Sequence, residues 1–210
     1  MWYNFLIMDI IITIFTLVVL LFSIAIHEVA HGSIALSLGD PTAKDAGRLT
    51  LNPLKHLDLV GSVLVPMFLW WSGLPMFAWA KPVPINPYNF RDQKWGNLKV
   101  SIAGPAANFL VAVFFGLSLR FFSEYLSAAV LTLFSIIVIY NFLLGIFNLI
   151  PIPPLDGHHV LFAFLPERMS NIKTFLRRYS LLLLMIFFLF GGGNLVFFTA
   201  EFLYALVLGL

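Results

Sequence analysis

Four stretches of this chain are apolar over about 20 or more consecutive residues, the length a helix needs to cross a hydrocarbon core of roughly 30 Å. They run from about Phe5 to Leu38, from about Leu98 to Phe122, from about Leu126 to Ile150 and from Ser180 to Leu210. The ten-residue alternating segments of a membrane β-barrel are absent, so the spans are expected to be helices, which satisfy their own backbone polar groups in lipid. Composition points the same way: 60% of the residues are hydrophobic and 10% charged, too little polar surface to cover a water-soluble fold. The expected fold is an all-α polytopic membrane protein with about four to six transmembrane helices. One domain is expected over residues 1–210, with a core at about 10–165 and a helical tail at 175–210. The final stretch reads as one long span or two short ones around Gly191-Gly192-Gly193.

Breaks in the pattern divide the chain further. Gly39-Asp40-Pro41 stops the first helix. The apolar stretch from Leu57 to Ala80 is interrupted by Gly61, Pro66, Gly73 and Pro75; it is long enough to cross, yet the breakers also suit a re-entrant or membrane-embedded loop between the first and second core helices. Lys81-Pro82-Val83-Pro84-Ile85-Asn86-Pro87 reads as extended, because residues before proline avoid the helical region. Short Lys- and Arg-rich loops stay in the cytoplasm. With 57–80 re-entrant and the N-terminus outside, only Arg120 of the 12 Lys and Arg residues falls on the far side. That topology is preferred for a multi-pass protein of the cell membrane.

A net charge of +2 and a pI near 9.0 would hint at nucleic acid in a soluble protein. Here the basic residues sit in loops and act as topology determinants, so no nucleic-acid partner is expected. The absence of cysteine excludes a disulfide framework and Cys-based zinc or iron–sulfur sites, leaving His, Asp and Glu as metal ligands. No Lys or Arg precedes the first apolar stretch, which runs directly into His27 and Glu28. Its expected role is a retained helix rather than a cleaved leader. Trp70, Trp71 and Trp79 read as lipid-facing or interfacial anchors.

His27 and His31 stand four apart on the first predicted helix, so both imidazoles share a face and can chelate one zinc ion. Glu28, next to the first of them, can take a proton from the water a zinc ion activates and deliver it to a leaving amine. A three-position pattern also arises by chance, and two histidines can be ordinary core groups. Ionisable residues inside an apolar span are costly, which favours function. A catalytic zinc takes three protein ligands. Asp156 is the strongest third candidate, since Pro151, Pro153 and Pro154 stop the preceding helix and Gly157 lets the backbone pass close to a site. The competing role for Asp156 is a helix N-cap. His158 and His159 are rival ligands, with support of the ligands the better reading for either, His159 above all. His56, in a polar loop, reads as a solvated surface residue.

Together, His27-Glu28-Val29-Ala30-His31, Gly104-Pro105-Ala106-Ala107-Asn108 and Asn148-Leu149-Ile150-Pro151-Ile152-Pro153-Pro154-Leu155-Asp156-Gly157 resemble the site-2 protease family of intramembrane zinc metalloproteases, peptidase family M50. The resemblance covers about residues 10–165. It implies one Zn²⁺ per chain held by His27, His31 and Asp156, with Glu28 as catalytic base. It also implies that Asn108 and Asn148 lie near the site, holding substrate backbone or the developing oxyanion. Family members cut single-span membrane proteins near the cytoplasmic side, so the implied partners are such a substrate, or a peptide from one, and the bilayer. His158 departs from the pattern by standing where members usually have a second glycine, and no PDZ or CBS-like module is present. A metal transporter would spread its ligands along several helices, a di-iron oxidase would need more than the five histidines here, and a silent relative would not need Glu28.

Overall fold

The computed structural model describes residues 2–64, 67, 68, 71, 72 and 80–210. Helix α1 covers Trp2–Ser37. It ends where Gly39 takes φ 107°, a left-handed conformation that suits glycine. The next residue, Asp40, is fully buried and gathers donors from three directions. Its carboxylate accepts from the Thr42 hydroxyl, from Thr42 N at 3.1 Å, Asn86 N at 2.7 Å and Asn89 Nδ2 at 2.8 Å, while Arg91 N donates to Leu38 O at 2.8 Å. Burial alone would raise the Asp40 carboxyl, but these donors outweigh it and hold the group below the usual carboxylate value. The proline-rich segment is thereby stapled to the end of α1, just before the short helix α2 (Thr42–Asp45).

Two long helices follow, α3 (Gly96–Phe122) and α4 (Ala128–Asn148), and α1, α3 and α4 pack against one another. Lipid supplies no hydrophobic drive for helix association, so small residues must bring the backbones close. Ala25, Ala112 and Ala200 are accordingly buried completely, and Gly104 of α3 faces α1. Large side chains point the other way: Leu110, Phe114 and Phe121 on α3 are 72%, 66% and 66% exposed, a face that lipid covers. An inner cluster of Ala112, Leu119, Val138, Phe142 and Ala200 ties α3 and α4 to the C-terminal tail.

After Pro151, Pro153 and Pro154 the chain turns into α5 (Gly157–Phe164), followed by the basic α6 (Ser170–Arg178). The tail is two helices, α7 (Ser180–Leu189) and α8 (Gly192–Leu208), bent 70° apart where Gly191 adopts φ 87°. Among the described residues three helices are long and apolar enough to cross a membrane, at Asp9–Ser37, Gly96–Tyr125 and Ala128–Asn148, and the bent pair counts as a fourth if it is one span. The protein is therefore a polytopic helical membrane protein. Much of the 57–80 stretch lies outside the described residues, including Trp70 and Trp79, and so does the choice between crossing and re-entry. Trp71 is 81% exposed.

His56 departs from expectation. It is buried rather than solvated, at 1% exposure, with its Nε2–H donating to Thr50 O at 2.8 Å. Its own carbonyl accepts from Lys81 N at 2.9 Å, so this loop is folded under the proline-rich segment instead of lying open to water.

Candidate metal centre

His27 and His31, one helical turn apart on α1, present their Nε2 atoms 3.0 Å from each other. Asp156 Oδ2, arriving from the turn after α4, stands 3.0 Å from His27 Nε2 and 3.2 Å from His31 Nε2. The N-cap reading of Asp156 does not hold. It occupies that backbone position for α5, but its side chain makes no cap hydrogen bond and turns to the two rings. Gly157 makes this turn feasible, since a Cβ there would overlap the Leu149 carbonyl.

The far sides of the rings decide which atoms carry protons. His31 Nδ1 lies 2.7 Å from the Val100 carbonyl, which can only accept, so Nδ1 holds the hydrogen. His27 Nδ1 lies 2.7 Å from Asn108 Oδ1. The Asn108 amide orientation is set by its nitrogen, which donates to Ser23 O at 3.2 Å and to Asn141 Oδ1 at 3.0 Å; Asn141 Nδ2 in turn donates to Ile137 O at 2.9 Å. With both Nδ1 atoms protonated, neutral rings offer bare lone pairs at Nε2. Two such nitrogens and a carboxylate oxygen then converge with no hydrogen of their own to share, an arrangement that calls for a cation. Tetrahedral zinc with ligand distances of about 2.0–2.2 Å separates neighbouring donors by roughly 3.3 Å, close to the observed triangle. Among the described residues these three form the one metal-competent group, and the donor set fits zinc.

Glu28 sits beside this triangle, half-buried, with Oε2 accepting from Val83 N at 2.7 Å. Two cavities meet at Glu28 and His27. One, of about 390 Å³, is partly polar and reaches Pro82, Val83, Ser101 and His159. The other, of about 250 Å³, is mostly apolar and reaches Ile24, Leu144, Phe147 and Leu184. Asn148 borders both; its Nδ2 donates to Leu144 O at 3.0 Å, leaving one amide hydrogen for a ligand. Asn108 has no such hydrogen free, because both are engaged and its oxygen faces His27. Burial, then the charge of His158, push His159 down to about 4, so its ring is neutral at neutral pH. His158 donates from Nδ1 to Leu155 O at 2.6 Å and does not join the triangle.

A family model described as "Peptidase family M50" matches residues 121–191. Over 189 residues the chain is 36% identical to "Putative zinc metalloprotease YwhC" of Bacillus subtilis (strain 168), a match covering 87% of this chain and 83% of that protein. The chain belongs to peptidase family M50, the site-2 proteases. This M50 protein is also 30% identical over 182 residues to "Putative zinc metalloprotease Rip2" of Mycolicibacterium smegmatis, covering 85% of this chain and 68% of the relative. A shorter match, 31% over 94 residues, links the M50 protein to "Zinc metalloprotease MJ0392" of Methanocaldococcus jannaschii, across 44% of this chain and 27% of that one. No solved structure matches significantly.

The M50 residue that sequence reasoning passed over is Asn141, fully buried and bonded to Asn108. A signal was present: it is a polar residue inside an apolar span, seven before Asn148 and therefore on the same helical face. Replacing Asn108 by Leu is expected to weaken zinc binding about 10- to 100-fold, the range seen when a partner that orients a metal-binding histidine is lost. Competition against a zinc-sensitive dye in detergent would measure it, and unchanged affinity would show that the His27 ring needs no such anchor.

Proposed function

We propose that this M50 protein is an intramembrane-cleaving zinc metalloprotease that hydrolyses peptide bonds of single-span membrane substrates, with His27, His31 and Asp156 as metal ligands and Glu28 as general base. The observation that carries the reading is the triangle of donors at 3.0–3.2 Å with both imidazole Nδ1–H groups already committed elsewhere, directly beside a carboxylate. When bound there, zinc supplies a Lewis acid and a water that ionises near neutral pH. Glu28 would take a proton from the attacking water on a carboxylate oxygen and pass it to the leaving amine, the work of a general base and acid in turn. Asn148, with its unengaged amide hydrogen at the junction of the two cavities, donates to the developing oxyanion. Asn108 and Val100 keep each ring's Nε2 bare and aimed.

The two cavities support a membrane substrate. An extended peptide crossing from the apolar chamber at Leu144 and Phe147 to the polar one at Ser101 and His159 passes Glu28 midway, which suits a chain leaving lipid for water. Depth supports it too. At about 1.5 Å per residue, His27 and His31 lie roughly 27 and 33 Å along α1 from Asp9, near the opposite boundary of the hydrocarbon core. With the N-terminus outside, that boundary is cytoplasmic.

Removal of metal by a chelator is expected to abolish cleavage of a single-span peptide in detergent or vesicles, and one equivalent of Zn²⁺ to restore it. Asp156→Ala should lose both bound zinc and cleavage. Cleavage that persists in metal-free protein would overturn the proposal. A transport role would place further ligands along a path, whereas among the described residues the metal-competent groups are confined to this cluster.

A further inference from the structure

Glu28 does not hold itself in place. Its Oε2 is anchored by the N–H of Val83, 55 residues away on the proline-rich segment, at 2.7 Å. Prolines at 82 and 84 contribute no N–H, and Lys81 N is taken by His56 O and Asn86 N by Asp40, while Val83 N reaches α1 through Glu28. The position of one peptide unit, Pro82–Val83, therefore sets the position of the general base.

That peptide unit is held from behind by Arg48. The guanidinium Nη2 donates to Lys81 O at 2.7 Å and, more weakly, to Pro82 O at 3.4 Å, the carbonyl of the same unit whose N–H reaches Glu28. Arg48 is 8% exposed and makes no ion pair among the described residues, and its Nε is buried without a partner. Burying an arginine this way is costly, and two backbone carbonyls are a modest return in stability. The segment is also confined from the front, where Val83 packs against α1 beside Gly32, a position at which a Cβ would come within 3.1 Å of Val83 Cγ1.

We propose that Arg48 is a positioning residue for the proteolytic reaction, acting through the Pro82–Val83 peptide to hold the Glu28 carboxylate in line with the metal triangle. The inference rests on Glu28 being the general base. Arg48 is neither a metal ligand nor a lining residue of either cavity, so its effect on the reaction runs through the Pro82–Val83 peptide. A single guanidinium nitrogen serves both consecutive carbonyls, so what holds the peptide is the fixed position of that nitrogen on a largely buried side chain.

The test is steady-state cleavage of a single-span peptide by full-length protein carrying Arg48→Met or Arg48→Lys, with zinc content and thermal midpoint measured on the same preparations. Arg48→Met is expected to lower kcat about 10- to 100-fold, the cost of a small misplacement of a catalytic group, with KM within about threefold of the parent. Bound zinc should stay at one per chain, and Arg48→Lys should recover part of kcat. Should Arg48→Met fold poorly, Arg48→Lys alone decides, by a fall in kcat at constant KM and zinc. Unchanged kcat in both variants, or a loss that tracks zinc content or KM instead, overturns the positioning role. Glu28→Gln run alongside separates the failures: if it cleaves normally the general-base reading has failed, and if it is inactive while the Arg48 variants are not, only the present inference has.

Discussion

Glu28→Gln should reduce peptide cleavage about 100- to 10,000-fold, the range general acid–base groups contribute, while leaving one zinc per chain. The substitution conserves shape, and the glutamine oxygen can still accept the Val83 N–H that Glu28 Oε2 accepts at 2.7 Å. The segment over the site therefore keeps its anchor. Glu28 is not a corner of the donor triangle, which is built from His27, His31 and Asp156. What disappears is a carboxylate able to take a proton and return it, so the loss should fall on kcat. Elemental analysis for zinc together with single-turnover cleavage of a single-span peptide measures both halves. Wild-type rates in Glu28→Gln would end the general-base assignment, and loss of zinc would show that Glu28 belongs to the ligand set.

Gly104→Ala should cost at least about 100-fold in zinc affinity although residue 104 is not a ligand, an effect at or beyond the upper end for residues supporting a metal site. Gly104 is in the interior of α3, where a Cβ would overlap the Nε2 atoms of both His27 and His31. Whether an added methyl is tolerated depends on whether its neighbours can retreat. These cannot do so freely: His31 is pinned through Nδ1 to Val100 O and His27 through Nδ1 to Asn108. Either the rings leave those bonds or α3 moves off α1, and both open the triangle. Helix propensity works the other way, since alanine in a helix interior is favoured over glycine by about 1 kcal/mol. A folded, fully helical protein with little zinc is thus the expected product. Zinc titration with circular dichroism on the same sample checks it, and parental affinity in Gly104→Ala would show that the metal does not sit between these rings.

Gly104 also illustrates what a sequence can and cannot convey. The Gly-Pro-Ala-Ala-Asn stretch reads as small residues for close packing plus an amide needing a partner, and both are true of it. Nothing in that string says that the glycine faces two imidazoles, or that the amide of Asn108 is consumed in orienting one of them instead of serving substrate. His56 shows the opposite error, a polar-looking loop residue that the proline-rich segment covers. Asn141 carried a legible sign, a polar group at apolar depth, but its partner could be identified only once α3 and α4 were side by side.

Hydropathy over about 20 residues, the His27–His31 spacing with Glu28 between them, and the proline-bounded Asp156 determined from sequence alone that this is a helical membrane protein with the means to hold zinc, because each is a short-range property of the chain. The tertiary structure decided the rest: that Asp156 spends its carboxylate on the rings 125 and 129 positions earlier in the chain and not on its own helix, that Asn108 and Val100 set the ring tautomers, and that Arg48 and Val83 stand behind Glu28. Those relations join residues tens of positions apart, and local propensity carries no term for them.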